Sequence, residues 1–228
     1  MVAGEGGIMV TDERLYYEKA ILLSSHNLRL GQELELEEAK RYASAGMCWN
    51  YRMHPLAAAI AKVQLRNLEG WNRVRTENRQ YLKEKIKDVG LISYPEIPND
   101  VGLGFYGTPV VYDESLAGGV RRDTFVEALE AEGAAMGTGY KVWYLEPLFQ
   151  DETPFGNRYP WQMSKGDGKL GKGDLPRTEE MADKIIVIPT YAEPCEELLD
   201  QYSEAFHKVA ASLEELRKYQ EDQPKTSG

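Results

Sequence analysis

The sequence predicts an α/β protein, because short β-branched segments alternate along it with segments of helical periodicity. Residues 108–112 and 185–188 are apolar runs that are typical of buried strands. Residues 122–132 place apolar side chains on one side of a helix, which Gly133 is suited to end. A helix that begins after Pro194 is predicted by an apolar stripe, which comprises Leu198, Tyr202, Ala205, Phe206, Val209, Leu213 and Leu216.

The first 41 residues predict a short strand followed by helices. Residues 7–11 have the composition of a strand, and Thr11 with Asp12 can cap a helix over residues 13–25. The stretch at 28–41 is rich in Glu and Leu, which favours a helical surface insertion.

Pro55 suits the first turn of a long helix. Leu56, Ile60 and Val63 recur at helical spacing, and the pattern can continue through Gly70 at a cost of about 1 kcal/mol relative to Ala. A second, strongly charged helix is predicted at 76–87.

The later elements follow the same rhythm. Residues 91–97 and 134–140 predict further strands, and residues 178–184 predict a short helix. Between them, residues 150–176 are rich in Gly, Pro, Lys and Asp, which indicates a long loop.

Composition excludes several classes of function. The 37 acidic and 27 basic residues give a net charge of −10, which disfavours nucleic acid and anionic membrane surfaces as partners. No apolar run approaches the roughly 20 residues needed to span a bilayer. Neither the two cysteines nor the three histidines have the spacing of a metal motif, so we expect a cytoplasmic protein without a metal centre; these residues are Cys48, Cys195, His26, His54 and His207.

Residues 49–53 hold the side chains best suited to an anion. Asn50 carries an amide donor, and Arg52 carries a planar fork that can engage a phosphate or carboxylate in two parallel bonds. Both precede a helix, whose N-terminus favours negative charge. A purely structural role stays open, because Asn also caps helices and Arg is common on surfaces.

The segment at 50–53, followed by residues 56–65, is similar to the Asn-Tyr-Arg-Met helix of the DegT/DnrJ/EryC1/StrS family of pyridoxal-phosphate-dependent sugar aminotransferases. Glycines 4, 6 and 7 and residues 8–12 resemble a strand of the same enzymes. The resemblance implies the C-terminal part of a fold-type I aminotransferase. Residues 1–75 would be the last strand and helices of the large cofactor-binding domain with the connecting helix, residues 76–216 a small α/β domain, and residues 217–228 a flexible tail.

The resemblance also implies roles for four residues. Asn50 would reach across a dimer interface to the cofactor phosphate of the neighbouring subunit, with Arg52 beside it. Tyr51 and Tyr140 would contact the substrate, although many members of the family carry a histidine where this chain has Tyr140.

The catalytic lysine is the main departure from the family pattern. It lies a few residues before the glycine cluster in these enzymes and would therefore precede Met1, whereas the first lysine here is Lys19 and the least implausible substitute is Lys141. We therefore assign no catalytic residue. The chain is expected to be inactive alone and not to retain pyridoxal phosphate as a Schiff base.

The resulting expectation is a C-terminal portion or split subunit of an aminotransferase. It would share pyridoxal phosphate with a lysine-bearing chain in a homo- or heterodimer and transfer an amino group from an amino acid to a keto-sugar or keto-cyclitol. The alternatives are a noncatalytic interaction or regulatory subunit that pairs with a complete homologue, and a degenerate remnant.

Overall fold

The chain folds into two compact units, residues 1–70 and 71–228. The domain boundary expected from the sequence lies between residues 75 and 76, and the chain divides into the two compact units between residues 70 and 71. The structure is a computed structural model, and it describes residues 2–24, 27–47, 49–139, 141–151 and 170–222.

The first unit is built from short helices: α1 (Arg14–Ser24), α2 (Asn27–Glu33) and α3 (Glu37–Lys40). The predicted helices at 13–25 and 28–41 are thus present, the second as two pieces. Their shared core is small, and its buried members are Ile21, Leu30, Leu34 and Ala39.

The predicted strand at 7–11 is absent from the described part of the chain, and this prediction was wrong. No other strand of the described residues pairs with it, and an extended segment without a ladder partner is not a strand. Ile8, Met9 and Val10 are consequently 67, 60 and 88% exposed.

A buried carboxylate connects α1 to the segment before α3. The Glu18 side chain is 0% exposed and accepts hydrogen bonds from Arg14 Nε at 2.7 Å and from the backbone N–H groups of Glu35 at 2.8 Å and Leu36 at 3.1 Å. Burial alone would raise the pKa of Glu18, but these donors outweigh it and hold the pKa below its usual value. Glu18 therefore fixes the start of α3 against α1.

The two helices predicted at 55 onward and 76–87 form one continuous helix, α4 (Pro55–Lys85), of 31 residues. It passes through Gly70, and no atom lies within 4 Å of where a Cβ would be placed there. Gly70 is therefore not required by packing at this point.

The second unit contains a four-stranded antiparallel sheet in the order β1-β2-β4-β3. Strands β2 and β4 have the predicted bounds, whereas β1 and β3 are two residues each and shorter than predicted. The bounds are β1 Ile92–Ser93, β2 Thr108–Tyr112, β3 Gly137–Thr138 and β4 Ile185–Ile188.

Helices cover this sheet and form the main core with it. Phe125 of α5 (Arg122–Ala131), Phe206 of α8 (Glu196–Ala211) and Val110 of β2 are each fully buried. Four members of the predicted apolar stripe are buried, and Leu198, Leu213 and Leu216 pack partly buried against the same core. The bounds are α5 Arg122–Ala131, α6 Pro147–Gln150, α7 Pro176–Lys184, α8 Glu196–Ala211 and α9 Leu213–Asp222, with a 3₁₀ turn at Trp143–Leu145.

The expected flexible tail at 217–228 is helical as far as residue 222. Gln220 of α9 accepts a hydrogen bond from the backbone N–H of Arg121 at 2.9 Å and donates one to Gly119 O at 2.8 Å. These contacts hold α9 beside the start of α5. Residues 223–228 lie outside the described residues.

Polar contacts join the second half of α4 to α8 and to the loop before it. Asn78 is buried, and its Nδ2 donates to Tyr191 O at 3.2 Å and Glu193 O at 2.9 Å. His207 of α8 lies between Ser203 O, 2.7 Å from Nδ1, and the Asp88 carboxylate, 3.0 Å from Nε2. Because both partners are acceptors, they raise the pKa of His207.

Candidate functional site

The chain that leads to Asn50 is held by two backbone hydrogen bonds to α1. Met47 N donates to Leu22 O, and Trp49 N donates to Leu23 O, both at 2.9 Å. Gly46 lies directly before this contact, and a Cβ there would be 2.6 Å from Leu22 O. The close approach therefore requires glycine at this position.

The N-terminus of α4 is capped by His54. The backbone N–H of Leu56 donates to His54 Nδ1 at 3.2 Å, and that of Ala58 donates to His54 O at 2.9 Å. Pro55 has no N–H to satisfy. His54 had carried no assigned role in the sequence, and the signal for this one was its position directly before a proline that opens a helix.

Asn50, Tyr51 and Arg52 are exposed directly before this helix end. Tyr51 packs edge-on against Trp49, with ring centroids 5.8 Å apart and planes at 83°. Within the described parts of the chain, the side chains of Asn50 and Arg52 take part in no hydrogen bond or ion pair. Their donors are thus available to an anion beside a helix N-terminus.

The glycine cluster lies against the same segment. Gly6 has a φ of +155°, and a Cβ there would be 2.8 Å from Met53 Cε. A second contact joins the N-terminal segment to α4, where Val2 N donates to Gln64 Oε1 at 3.2 Å. The two motifs that carried the family resemblance, far apart in sequence, are therefore neighbours in the first unit.

Three other residues were considered from the sequence, namely Tyr140, Lys141 and Lys19. Tyr140 lies outside the described residues. Lys141 belongs to the second unit, where its side chain is 80% exposed and its Nζ lies 3.7 Å from Glu146 Oε1. Lys19 is exposed on α1. An exposed, ion-paired lysine lacks the desolvated setting that activates a Schiff-base lysine, which argues against Lys141.

The described residues contain neither a metal-ligand cluster nor a membrane-spanning helix. No three His, Cys, Asp or Glu side chains in these ranges come close enough together to hold a metal ion. None of the helices in the same ranges combines the length and apolar character needed to cross a membrane.

Comparison with known proteins decides the family. Residues 1–207 match the DegT/DnrJ/EryC1/StrS aminotransferase family. The chain belongs to this family. The chain of this DegT/DnrJ/EryC1/StrS family member is similar to the erythromycin biosynthesis sensory transduction protein EryC1 of Saccharopolyspora erythraea. It is 31% identical over 93 residues, which are 41% of this chain and 23% of EryC1.

Solved structures of other proteins share the fold of this chain. DesV of S. venezuelae, solved with a ketimine intermediate, matches with a TM-score of 0.65 and 19% identity over 88% of this chain and 46% of DesV. The E. coli GDP-4-keto-6-deoxy-D-mannose-3-dehydratase, solved with bound hydrated PLP, matches with a TM-score of 0.62 and 16% identity over 86% of this chain and 49% of that one. The predicted fold class is confirmed, and the chain spans less than half the length of each of these relatives.

Proposed function

We propose that this chain forms part of a pyridoxal-phosphate-dependent aminotransferase and contributes Asn50 and Arg52 to the binding of the cofactor phosphate. The amino group would pass from an amino acid to a keto-sugar or keto-cyclitol. The observation that carries the proposal is the pair of exposed side chains without polar partners in the described chain, held directly before α4.

The residues present suit a phosphate. The Asn50 amide can donate to one phosphate oxygen, and the Arg52 guanidinium can engage one or two more with a favourable charge. The adjacent end of α4 adds a partial positive charge. Tyr51, 62% exposed and braced by Trp49, offers an aromatic face to the substrate.

Pyridoxal phosphate, when bound, supplies an electron sink for the carbon that loses its proton. This chain would orient the cofactor through its phosphate, while the proton-moving lysine would come from residues outside 1–228. That lysine would belong either to another part of the same polypeptide or to a partner chain. In both cases the site would be shared between two chains of a homo- or heterodimer.

The surface of the first unit supports a partner at this place. Leu56, Ile60 and Val63 form a stripe on α4 at helical spacing and are 71, 51 and 55% exposed. The same unit also exposes the apolar side chains of residues 8–10, so its exposed apolar residues are not confined to isolated positions. Such a stripe is typical of a helix face that packs against further protein.

Reconstitution tests the proposal. The purified chain is mixed with a lysine-bearing chain of the same family whose own phosphate-binding asparagine is replaced by alanine, and amine transfer to a keto-sugar nucleotide is followed. Activity should appear only in the mixture and should fall at least tenfold with Asn50→Ala, because a charge-assisted hydrogen bond is lost. Asn99→Ala, a change at an exposed asparagine of the second unit, is the matched control and should leave the rate unchanged.

Two outcomes would count against it. Equal activity of the Asn50→Ala and wild-type mixtures would refute the phosphate role. A stable complex without any gain in activity would favour the alternative, a noncatalytic subunit that pairs with a complete homologue.

A further inference from the structure

A small cavity in the second unit lies where α4, the ends of two strands and the start of α8 meet. Its volume is about 10 Å³, which is close to the space that one oxygen atom or one water molecule needs. None of its lining residues belongs to the segment around Asn50. The polar lining includes Arg75, Arg79 and Tyr94.

Two polar atoms of this lining are buried without a partner among the described residues: Arg75 Nε and the Tyr94 hydroxyl. Arg75 uses another nitrogen, Nη1, for a 3.2 Å hydrogen bond to Asn72 Oδ1. Nε can only donate. Burial raises the pKa of Tyr94, so its hydroxyl stays protonated and can donate as well. A buried donor left unpaired is destabilising, which makes two of them at one cavity informative.

The charge of the cavity is unbalanced. Arg79 stacks above the Tyr94 ring, with its guanidinium carbon 4.9 Å from the centroid, and donates to Pro95 O at 3.4 Å. In the described chain, neither Arg75 nor Arg79 has a carboxylate within 4 Å, and no lining residue is acidic. Two guanidinium groups without counter-charges stand out in a chain of net charge −10.

We propose that this cavity binds a small oxyanion, a carboxylate or a phosphate, which inserts one oxygen between Arg75 Nε and the Tyr94 hydroxyl. The remaining oxygens would lie at the mouth, where both arginines are partly exposed. Arginine forks match the geometry of these groups, and the hydroxyl of Tyr94 supplies a neutral donor. A water molecule would fit the volume but would leave the two positive charges unbalanced. The site is independent of the proposed cofactor role.

The test uses the complete chain in a low-salt, non-coordinating buffer. Acetate and inorganic phosphate are titrated separately as the two sources of the oxyanion, with chloride as the anion that lacks an oxygen. Thermal unfolding reports binding, since a ligand of the native state raises the midpoint with its concentration. Arg75→Lys and Tyr94→Phe remove the two inward donors, while Arg73→Lys and Tyr16→Phe are matched exposed controls.

Wild type and both controls should be stabilised at millimolar acetate or phosphate, and whichever is more effective identifies the source. The two cavity variants should bind that anion about tenfold more weakly or worse, because each lacks one hydrogen bond to a charged group. Without anion, Tyr94→Phe should have a higher thermal unfolding midpoint than wild type, because it lacks an unpaired buried hydroxyl. At a saturating concentration of the oxyanion, wild type should have the higher midpoint.

Each contrary result overturns the proposal. Equal stabilisation of all variants would assign the effect to general salt. A chloride effect as large as that of the oxyanions would reject oxygen recognition. A crystal structure grown in acetate and phosphate that contains only a water between Arg75 and Tyr94 would replace the anion by that water.

Discussion

Gly46→Ala should displace the segment that presents Asn50. The added methyl carbon would lie 2.6 Å from Leu22 O and 3.0 Å from Leu30 Cδ1, so the chain must move away from α1 by several tenths of an ångström. The two 2.9 Å bonds from Met47 N and Trp49 N to α1 directly follow this point. They are the contacts that the movement would lengthen.

The expected magnitude follows from those contacts. Overpacking at a close contact typically costs about 1–3 kcal/mol, and each of the two backbone bonds contributes about 1 kcal/mol. We therefore expect the local free energy of opening at residues 47–49 to fall by about 2 kcal/mol. Since 1.4 kcal/mol corresponds to a factor of ten, protection of the Met47 and Trp49 amides should fall about 30-fold.

Amide hydrogen exchange measures this directly. Gly31→Ala is the matched control: no atom lies within 4 Å of its Cβ position, and it lies within α2, where alanine favours the helix by about 1 kcal/mol. The control should leave the amides of residues 47 and 49 protected. Unchanged protection of both amides in Gly46→Ala would refute the claim that this close approach positions Asn50.

Two further changes test the polar contacts of His207 and Asn78. The pKa of His207 is raised in the folded state, so the stabilising contact with Asp88 should be complete below the unfolded pKa of about 6.5 and lost as the pH rises through the folded value. The difference in unfolding free energy between wild type and His207→Gln should thus shrink from pH 5 to pH 8, and a growing difference would contradict it. Asn78→Asp replaces the amide donor by a carboxylate that faces two carbonyl oxygens. It should lower the free energy of unfolding in urea by about 2–4 kcal/mol at pH 7, and by less at pH 4, where the new carboxyl group is partly protonated. Asn72→Asp is the control: it keeps an oxygen that accepts from Arg75 and should change the free energy of unfolding little. Equal losses of stability in the two variants would contradict the role assigned to the Asn78 amide.

The elements predicted most closely are those whose pattern is set by a single core. Strands β2 and β4 pair with each other and bury alternate side chains, so composition alone gave their bounds. Helix α5 was predicted for the same reason, since Phe125, Val126 and Leu129 all face that core. The strand at 7–11 failed because strand formation needs a partner, which no local pattern encodes.

The candidate site divides in the same way. Asn50 and Arg52 were predicted from their chemistry and from a local motif, and their role stays a prediction. Three other features of the site became visible only in the structure. They are the contact between Gly6 and Met53, the cap formed by His54 and the need for glycine at position 46. No single segment contains that information, so these features required the fold.

The most direct test of the central claim compares two ligands that differ only in the phosphate. The dissociation constants of pyridoxal phosphate and of pyridoxal are measured by absorbance titration for the assembled enzyme with wild-type chain and with Asn50→Ala. If Asn50 binds the phosphate, the variant binds pyridoxal phosphate at least tenfold more weakly and pyridoxal equally well. The same loss for both ligands, or for neither, would contradict the account.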